Sequence, residues 1–141
     1  MKALLDTNII IDIALQRMPF FTDCVKIMEC INDGKLKAYV SATTVTDIFY
    51  ILKKENGREK TLLFLQKLLQ VIDVAGIDKT IILKAIYSDW NDFEDAVQAQ
   101  TAIKYDIDLI ITRNTKDYKN LTDIIVIEPQ NLMTYFPEIN N

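Results

Sequence analysis

KALLDTN, residues Lys2 to Asn8, is a short apolar run that ends in Asp-Thr-Asn. It reads as a buried strand delivering a carboxylate to a sheet edge. A parallel strand covered on both faces is apolar throughout instead of alternating, and in open α/β sheets ligands sit beyond the strands' carboxyl ends. Asp6 stands at that end. It also suits the N-cap of a following helix, as Thr7 and Asn8 do, by accepting a backbone N–H. The two readings separate on where the chain's other acids fall.

Working outward, Ile9, Ile10, Ile13 and Ala14 recur at helical spacing until Arg17-Met18-Pro19 breaks the pattern. A second helix is expected from about Phe20 to Asp33, with Cys24, Ile27, Met28 and Ile31 inward, ending at Gly34. Lys35 to Val40 reads as a second strand. Ser41 to Thr44 opens a third helix with an apolar stripe of Val45, Ile48, Phe49 and Leu52, and Asp47 lies off that stripe. Lys53 to Gly57 closes it, Arg58 to Gln70 is another amphipathic helix, Val71 to Val74 a third strand, and Asp78 caps a helix carrying Ile81, Ile82, Ala85 and Ile86.

After Ser88 to Asp95 comes a helix with small residues at Ala96, Ala99 and Ala102, which let a backbone approach its neighbour closely. Asp108 to Thr112 and Ile124 to Ile127 read as the fourth and fifth strands, and a last helix runs from about Gln130 to Tyr135. Strands separated by helices at this rhythm predict an α/β chain with a parallel sheet covered on both faces. The length suits a single domain, residues 1–141, with one core.

Composition narrows the chemistry. Sixteen Lys and Arg against 20 Asp and Glu give a formal charge of -4, which excludes a generally basic nucleic-acid-binding surface. There is no histidine, which removes Ser-His-Asp and Cys-His catalysis and the commonest zinc ligands. Carboxylates are the abundant chemical groups that remain. Cys24 and Cys30, six apart in one helix, cannot bridge and read as buried thiols. No apolar run approaches the ~20 residues of a membrane span, and the N-terminus carries no signal-peptide pattern, so a cytoplasmic protein is expected, without a membrane partner.

Four places carry an acid just after a strand or early in the next helix: Asp6, Asp47, the pair Asp92 and Asp95, and Asp117. Each has a plain alternative. Asp47 and Asp92 sit near helix N-termini, where the dipole favours an acid; Asn91 and Glu94 fit a capping box; Asp117 suits a turn. On parallel strands, however, their carboxyl ends share one rim, and the acids can converge. Two unit charges about 4 Å apart repel by ~4 kcal/mol at an effective dielectric near 20, so convergence implies a cation or raised pKa values. Oxygen ligands without His or Cys suit Mg²⁺ or Mn²⁺.

LLDTNIIID, DFEDAVQAQTA and LIITRNTKDY resemble, in that order, the three signature segments of PIN domains, especially the VapC-like toxin ribonucleases. The resemblance covers nearly the whole chain. It implies a three-layer α/β/α domain, a five-stranded parallel sheet with the first strand central, and a metal-dependent nuclease site at its carboxyl rim. Asp6, Asp95 and Asp117 match the family's acids, and Asp47 stands where the family more often has Glu. The implied reaction is hydrolysis of an RNA phosphodiester, with Mg²⁺ or Mn²⁺ held by Asp6, Asp95 and Asp117, Asp92 as a further or second-metal ligand, and Asp47 assisting. Asn8 and Thr112 are expected to orient carboxylates. Arg113 would contact phosphate, and Lys116 and Lys119 would supply local positive charge or be plain loop charge.

The resemblance also suggests an antitoxin protein and a homodimer. The apolar Phe20-Phe21 pair and the Leu-rich helix Thr61 to Leu69 point the same way. A receiver-like signalling domain would want an acceptor Asp on a middle strand. A haloacid-dehalogenase-like phosphatase would want a second acid at Asn8. A PIN fold that only binds RNA or a protein remains an alternative.

Overall fold

The computed structural model describes residues 1–140. Its elements are β1 (Lys2–Leu5), α1 (Thr7–Ala14), α2 (Phe21–Asn32), β2 (Lys37–Ser41), α3 (Ala42–Asn56), α4 (Arg58–Leu68), β3 (Asp73–Ala75), α5 (Lys79–Tyr87), α6 (Phe93–Lys104), β4 (Leu109–Ile111), β5 (Ile125–Ile127) and α7 (Leu132–Tyr135). The strands form one sheet of order β3-β2-β1-β4-β5, parallel throughout. β1 is therefore central, as its apolar run requires, and it carries Asp6 to the middle of the carboxyl rim.

The pleat sends alternate residues to two cores. Ala3, Leu5, Val40, Leu109 and Ile111 pack on one face with Ile9 and Ile10 of α1, Ile27 of α2, and Ile48 and Leu52 of α3. Leu4, Tyr39 and Ile110 pack on the other with Ala102 of α6 and Tyr118. Burial of each large aliphatic side chain contributes about 1.5–3 kcal/mol, so both faces are strongly specified. Ala96, Ala99 and Ala102 are buried, and their small size lets α6 lie close on the sheet. Cys24 and Cys30 are both free and buried, and burial pushes the Cys24 thiol up to about 11.

Three local expectations shift. The third strand begins at Asp73 instead of Val71, because the Val71 and Ile72 amides both turn back to Leu68 O (3.1 and 3.0 Å) and close α4. The last helix splits into a 3-10 turn, Pro129–Asn131, and the short α7. The cap of α6 is Asp92, not Asn91: Asp92 Oδ1 accepts the Asp95 N–H at 3.0 Å. Ser41 and Asp78 cap α3 and α5 as their positions suggest, and Gly34 and Gly57 take the left-handed φ (72° and 80°) that ends a helix. Among the described residues no helix is long and apolar enough to cross a membrane.

Candidate active site

Asp6 is held by five donors from four segments. Its Oδ1 accepts the Thr7 N–H at 2.7 Å, capping α1, and the Gln98 Nε2 amide at 2.8 Å. Its Oδ2 accepts the Thr112 hydroxyl at 2.7 Å, with Asn8 Nδ2 at 3.4 Å and the Tyr118 hydroxyl at 3.5 Å. Capping and presentation to the rim are thus one arrangement. Asn8 and Thr112 both orient a carboxylate, as expected of them, and Asn8 Nδ2 also reaches Thr112 Oγ1 at 3.4 Å. Gln98 and Tyr118 do the same without having been singled out in the sequence.

Gln98 is fully buried in α6 and donates through Nε2 to Tyr118 Oη at 3.0 Å as well as to Asp6, leaving its own Oε1 buried without a partner. An unpaired buried acceptor costs roughly 1–3 kcal/mol. The fold bears that cost in an amide that fixes Asp6 and Tyr118 together. Burial among acids pushes the Tyr118 phenol well above its usual range, so it stays a proton donor.

Asp6, Asp92, Glu94, Asp95 and Asp117 line one open cleft of about 430 Å³ beyond the carboxyl ends of β1 and β4, with Arg17, Asn8 and Asn114 at its edges. Asp117 comes from the 3-10 turn Thr115–Tyr118, Asp92 from the N-cap of α6 and Asp95 from its first turn. Burial, then the charges of Asp92, Asp6 and Asp117, push the Asp95 carboxyl up to about 7. These acids sense one another across the cleft.

Asp47 does not line this cleft. It faces a smaller neighbouring groove with Glu94, Phe93 and Ile82. A hydrogen bond to Asp47, then burial and the charges of Asp47, Asp92 and Asp95, push the Glu94 carboxyl up to about 7. Glu94, read from sequence only as a capping-box partner, is therefore the acid that links Asp47 to the main cleft.

Arg113 is also placed differently from the phosphate contact expected of it. Its Nε donates to Oδ2 of the buried Asp12 at 2.7 Å, and its guanidinium lies 4.2 Å over the Phe20 ring. Its backbone N–H donates to Asn8 Oδ1 at 3.2 Å, and the residue borders a neighbouring cleft with Asn114, Lys116 and Asp117. Arg17 is the cation that faces the acidic cleft instead.

A family model described as PIN domain matches residues 2–116. The chain belongs to the PIN domain family. Among similar proteins, Ribonuclease VapC1 of Aquifex aeolicus (strain VF5) is 23% identical over 132 residues, covering 90% of this chain and 91% of the relative. The fold is shared with VapBC2 from Rickettsia felis bound to a DNA fragment from their promoter, at TM-score 0.67 and 16% identity over 91% of this chain and 98% of that one. It is also shared with a toxin-antitoxin complex from Klebsiella pneumoniae, at TM-score 0.68 and 23% identity over 90% and 97%. The α/β architecture of this PIN domain, built on a five-stranded parallel sheet, is what these structures share with it.

The donor set of the cleft suits a hard divalent cation: every charged ligand candidate is a carboxylate, and both the burial and the repulsion from Asp92, Asp6 and Asp117 that raise Asp95 are what a cation would offset. Among the described residues no three His, Cys, Asp or Glu side chains are gathered closely enough to enclose an ion on their own.

Proposed function

We propose that this PIN domain, as one nuclease unit over residues 1–141, is a metal-dependent endoribonuclease that hydrolyses RNA phosphodiester bonds. The observation that carries the reading is the meeting of Asp6, Asp92, Asp95 and Asp117 in one cleft at the sheet's carboxyl rim. The relative named Ribonuclease VapC1 supports the reaction class. Asp6, Asp95 and Asp117 would hold Mg²⁺ or Mn²⁺, with Asp92 as a further ligand. Such an ion, when bound, supplies an activated water and neutralises charge on the phosphate.

The chain's own residues do the rest. Thr112, Gln98 and Asn8 fix the Asp6 carboxylate so that binding requires little reorganisation. Asp95, raised to about 7 with no cation beside it, gives up its proton to serve as a ligand, so metal binding by this cleft weakens as pH falls below neutrality. Asp47 acts through Glu94, beside which it lines the neighbouring groove and whose carboxyl it raises. Arg17 at the cleft edge attracts the substrate's phosphates.

The Rickettsia felis and Klebsiella pneumoniae structures are VapBC or toxin-antitoxin complexes, which supports a protein antitoxin for this chain and the role of toxin in such a pair. A homodimer is the expected association, since Leu63, Leu69, Ile86 and Tyr87 expose apolar surface. Light scattering at high micromolar concentration tests it, with a monomer as the contrary result.

Metal titration of the purified protein separates the enzyme from a PIN fold that only binds RNA or protein. Millimolar Mn²⁺ is expected to raise the melting temperature by mass action and to give calorimetric heat. Unchanged melting together with no heat would remove the metal site.

A further inference from the structure

Beside the acidic cleft lies a second one of about 280 Å³, which shares Asp92, Asp95 and Asp117 with it and is otherwise lined by Trp90, Asn91, Lys116, Lys119 and Asn120. Its chemistry differs from that of the acidic cleft. Lys116 and Lys119 are exposed and make no ion pair among the described residues. Trp90 is half-buried, and packs edge-on against Tyr118 with centroids 5.9 Å apart and planes at 73°. Its indole N–H has no hydrogen-bond partner among the described residues and is not among the buried unpaired atoms. An aromatic ring packed against Tyr118, two lysines without an ion pair among the described residues and two side-chain amides therefore border the acids on one side.

We propose that this second cleft is a nucleotide subsite. It takes one base of single-stranded RNA against Trp90, beside the phosphate presented to Asp6, Asp95 and Asp117, with Lys116 and Lys119 on the flanking phosphates. Unpaired bases stack on aromatic side chains, and single-strand sites combine such platforms with cations that track the backbone. A ring already held by Tyr118 loses little freedom on stacking. The Asn91 and Asn120 amides offer both donors and acceptors to a base edge, although Asn120 Nδ2 also lies 3.4 Å from Asp89 O. In a chain of net charge -4, Lys116 and Lys119 add local positive charge beside the acids, on a different side from Arg17. The subsite deepens the nuclease reading and rests on it.

Trp90 is the single tryptophan of the chain, so its emission reports on this cleft alone. The test titrates the whole protein, in EDTA at low ionic strength, with a short single-stranded RNA and with an abasic oligonucleotide of the same backbone. The subsite requires that the RNA quench Trp90 and the abasic strand leave it nearly unchanged. Trp90→Leu, checked for its fold by circular dichroism, should then bind the RNA about ten-fold or more weakly by a gel or anisotropy assay. Lys116→Ala and Lys119→Ala should each flatten the salt dependence by about 0.7 in log–log slope while leaving the base-dependent quench in place. Equal quenching by both strands, or none by either, overturns the subsite. Cleavage of RNA by the same preparation in Mn²⁺ is scored separately, so loss of the subsite and loss of the nuclease reading are distinct results.

Discussion

Arg113 closes over Asp12 from 101 residues away, with Nε 2.7 Å from Oδ2 and NH2 3.4 Å from Oδ1, while the Asp12 side chain is entirely removed from solvent. The pair locks α1 to the segment after β4, and those two segments supply Asn8 and Thr112 to Asp6. A buried charge left alone is costly, and breaking a buried pair costs about 3–5 kcal/mol. Arg113 keeps 28% of its side chain exposed, which places the expected loss at the low end, about 3 kcal/mol. Arg113→Leu should show it in urea melts, and Asp12→Ala with Arg113→Leu together should lose less than the sum of the two singles. Additive losses would mean that the pair carries no coupling.

Asp92 and Asp95 share a cleft, and the proposed reading gives them different roles. Asp92 caps α6, and Asn caps nearly as well, so Asp92→Asn should keep the helix and retain measurable RNA cleavage with weaker metal dependence. Asp95→Asn should abolish cleavage while circular dichroism stays native, because it removes a ligand without opening a cavity. An active Asp95→Asn beside a dead Asp92→Asn would exchange the two assignments.

The metal-free protein should become less stable as pH rises through neutrality. The Asp95 carboxyl, ordinarily near 3.8, stands at about 7 when folded, and Glu94 moves from 4.5 to about 7. Between about pH 4 and pH 7 the folded state therefore binds more protons than the unfolded one. The stability from this source is complete below the unfolded values and is lost as pH passes the folded ones. Facing these groups are Asp6, Asp92 and Asp117 around Asp95, and Asp47 and Asp92 around Glu94. Melting in EDTA from about pH 5 to about pH 8 should show the fall, and Asp95→Asn should shrink it. A melting temperature that rises across this window contradicts the assignment.

Gln98 should matter to Asp6 more than to the fold as a whole. Gln98→Met keeps the bulk and removes the 2.8 Å donor to Asp6, the 3.0 Å donor to Tyr118 Oη and the unpaired buried Oε1. Stability should change by less than about 1 kcal/mol, since removing an orphaned acceptor offsets the two lost bonds. Mn²⁺ affinity, read by calorimetry, should fall about ten-fold or more, within the range for groups that orient metal ligands. Unaltered affinity would make Gln98 a plain core residue.

The sequence carried the sheet well because its signals there are local. The run Ala3 to Leu5, the strand at Leu109–Ile111 and the alanines of α6 each announce burial within a few residues. β3 was less legible: it is an edge strand whose Asp73 and Val74 are exposed, and the apolar Val71-Ile72 beside it serves the end of α4 instead. Asp6 was legible at a strand end. Glu94, Gln98 and Arg17 were not, since each looks like an ordinary helix or turn residue until the fold brings Asp6, 92 residues from Gln98, within 2.8 Å. The Arg113 ion pair was illegible for the same reason. Its partner Asp12 resembles a solvent-facing acid until α1 is packed.

Incubation of a generic single-stranded RNA with wild-type protein and with Asp6→Asn, across a Mn²⁺ titration and an EDTA control, tests the central claim most directly. Wild type should cleave the RNA in proportion to metal occupancy and leave it intact in EDTA, and Asp6→Asn, folded by circular dichroism, should leave it intact throughout. Wild-type RNA that stays whole at every Mn²⁺ concentration, or cleavage by Asp6→Asn at the wild-type rate, would contradict it.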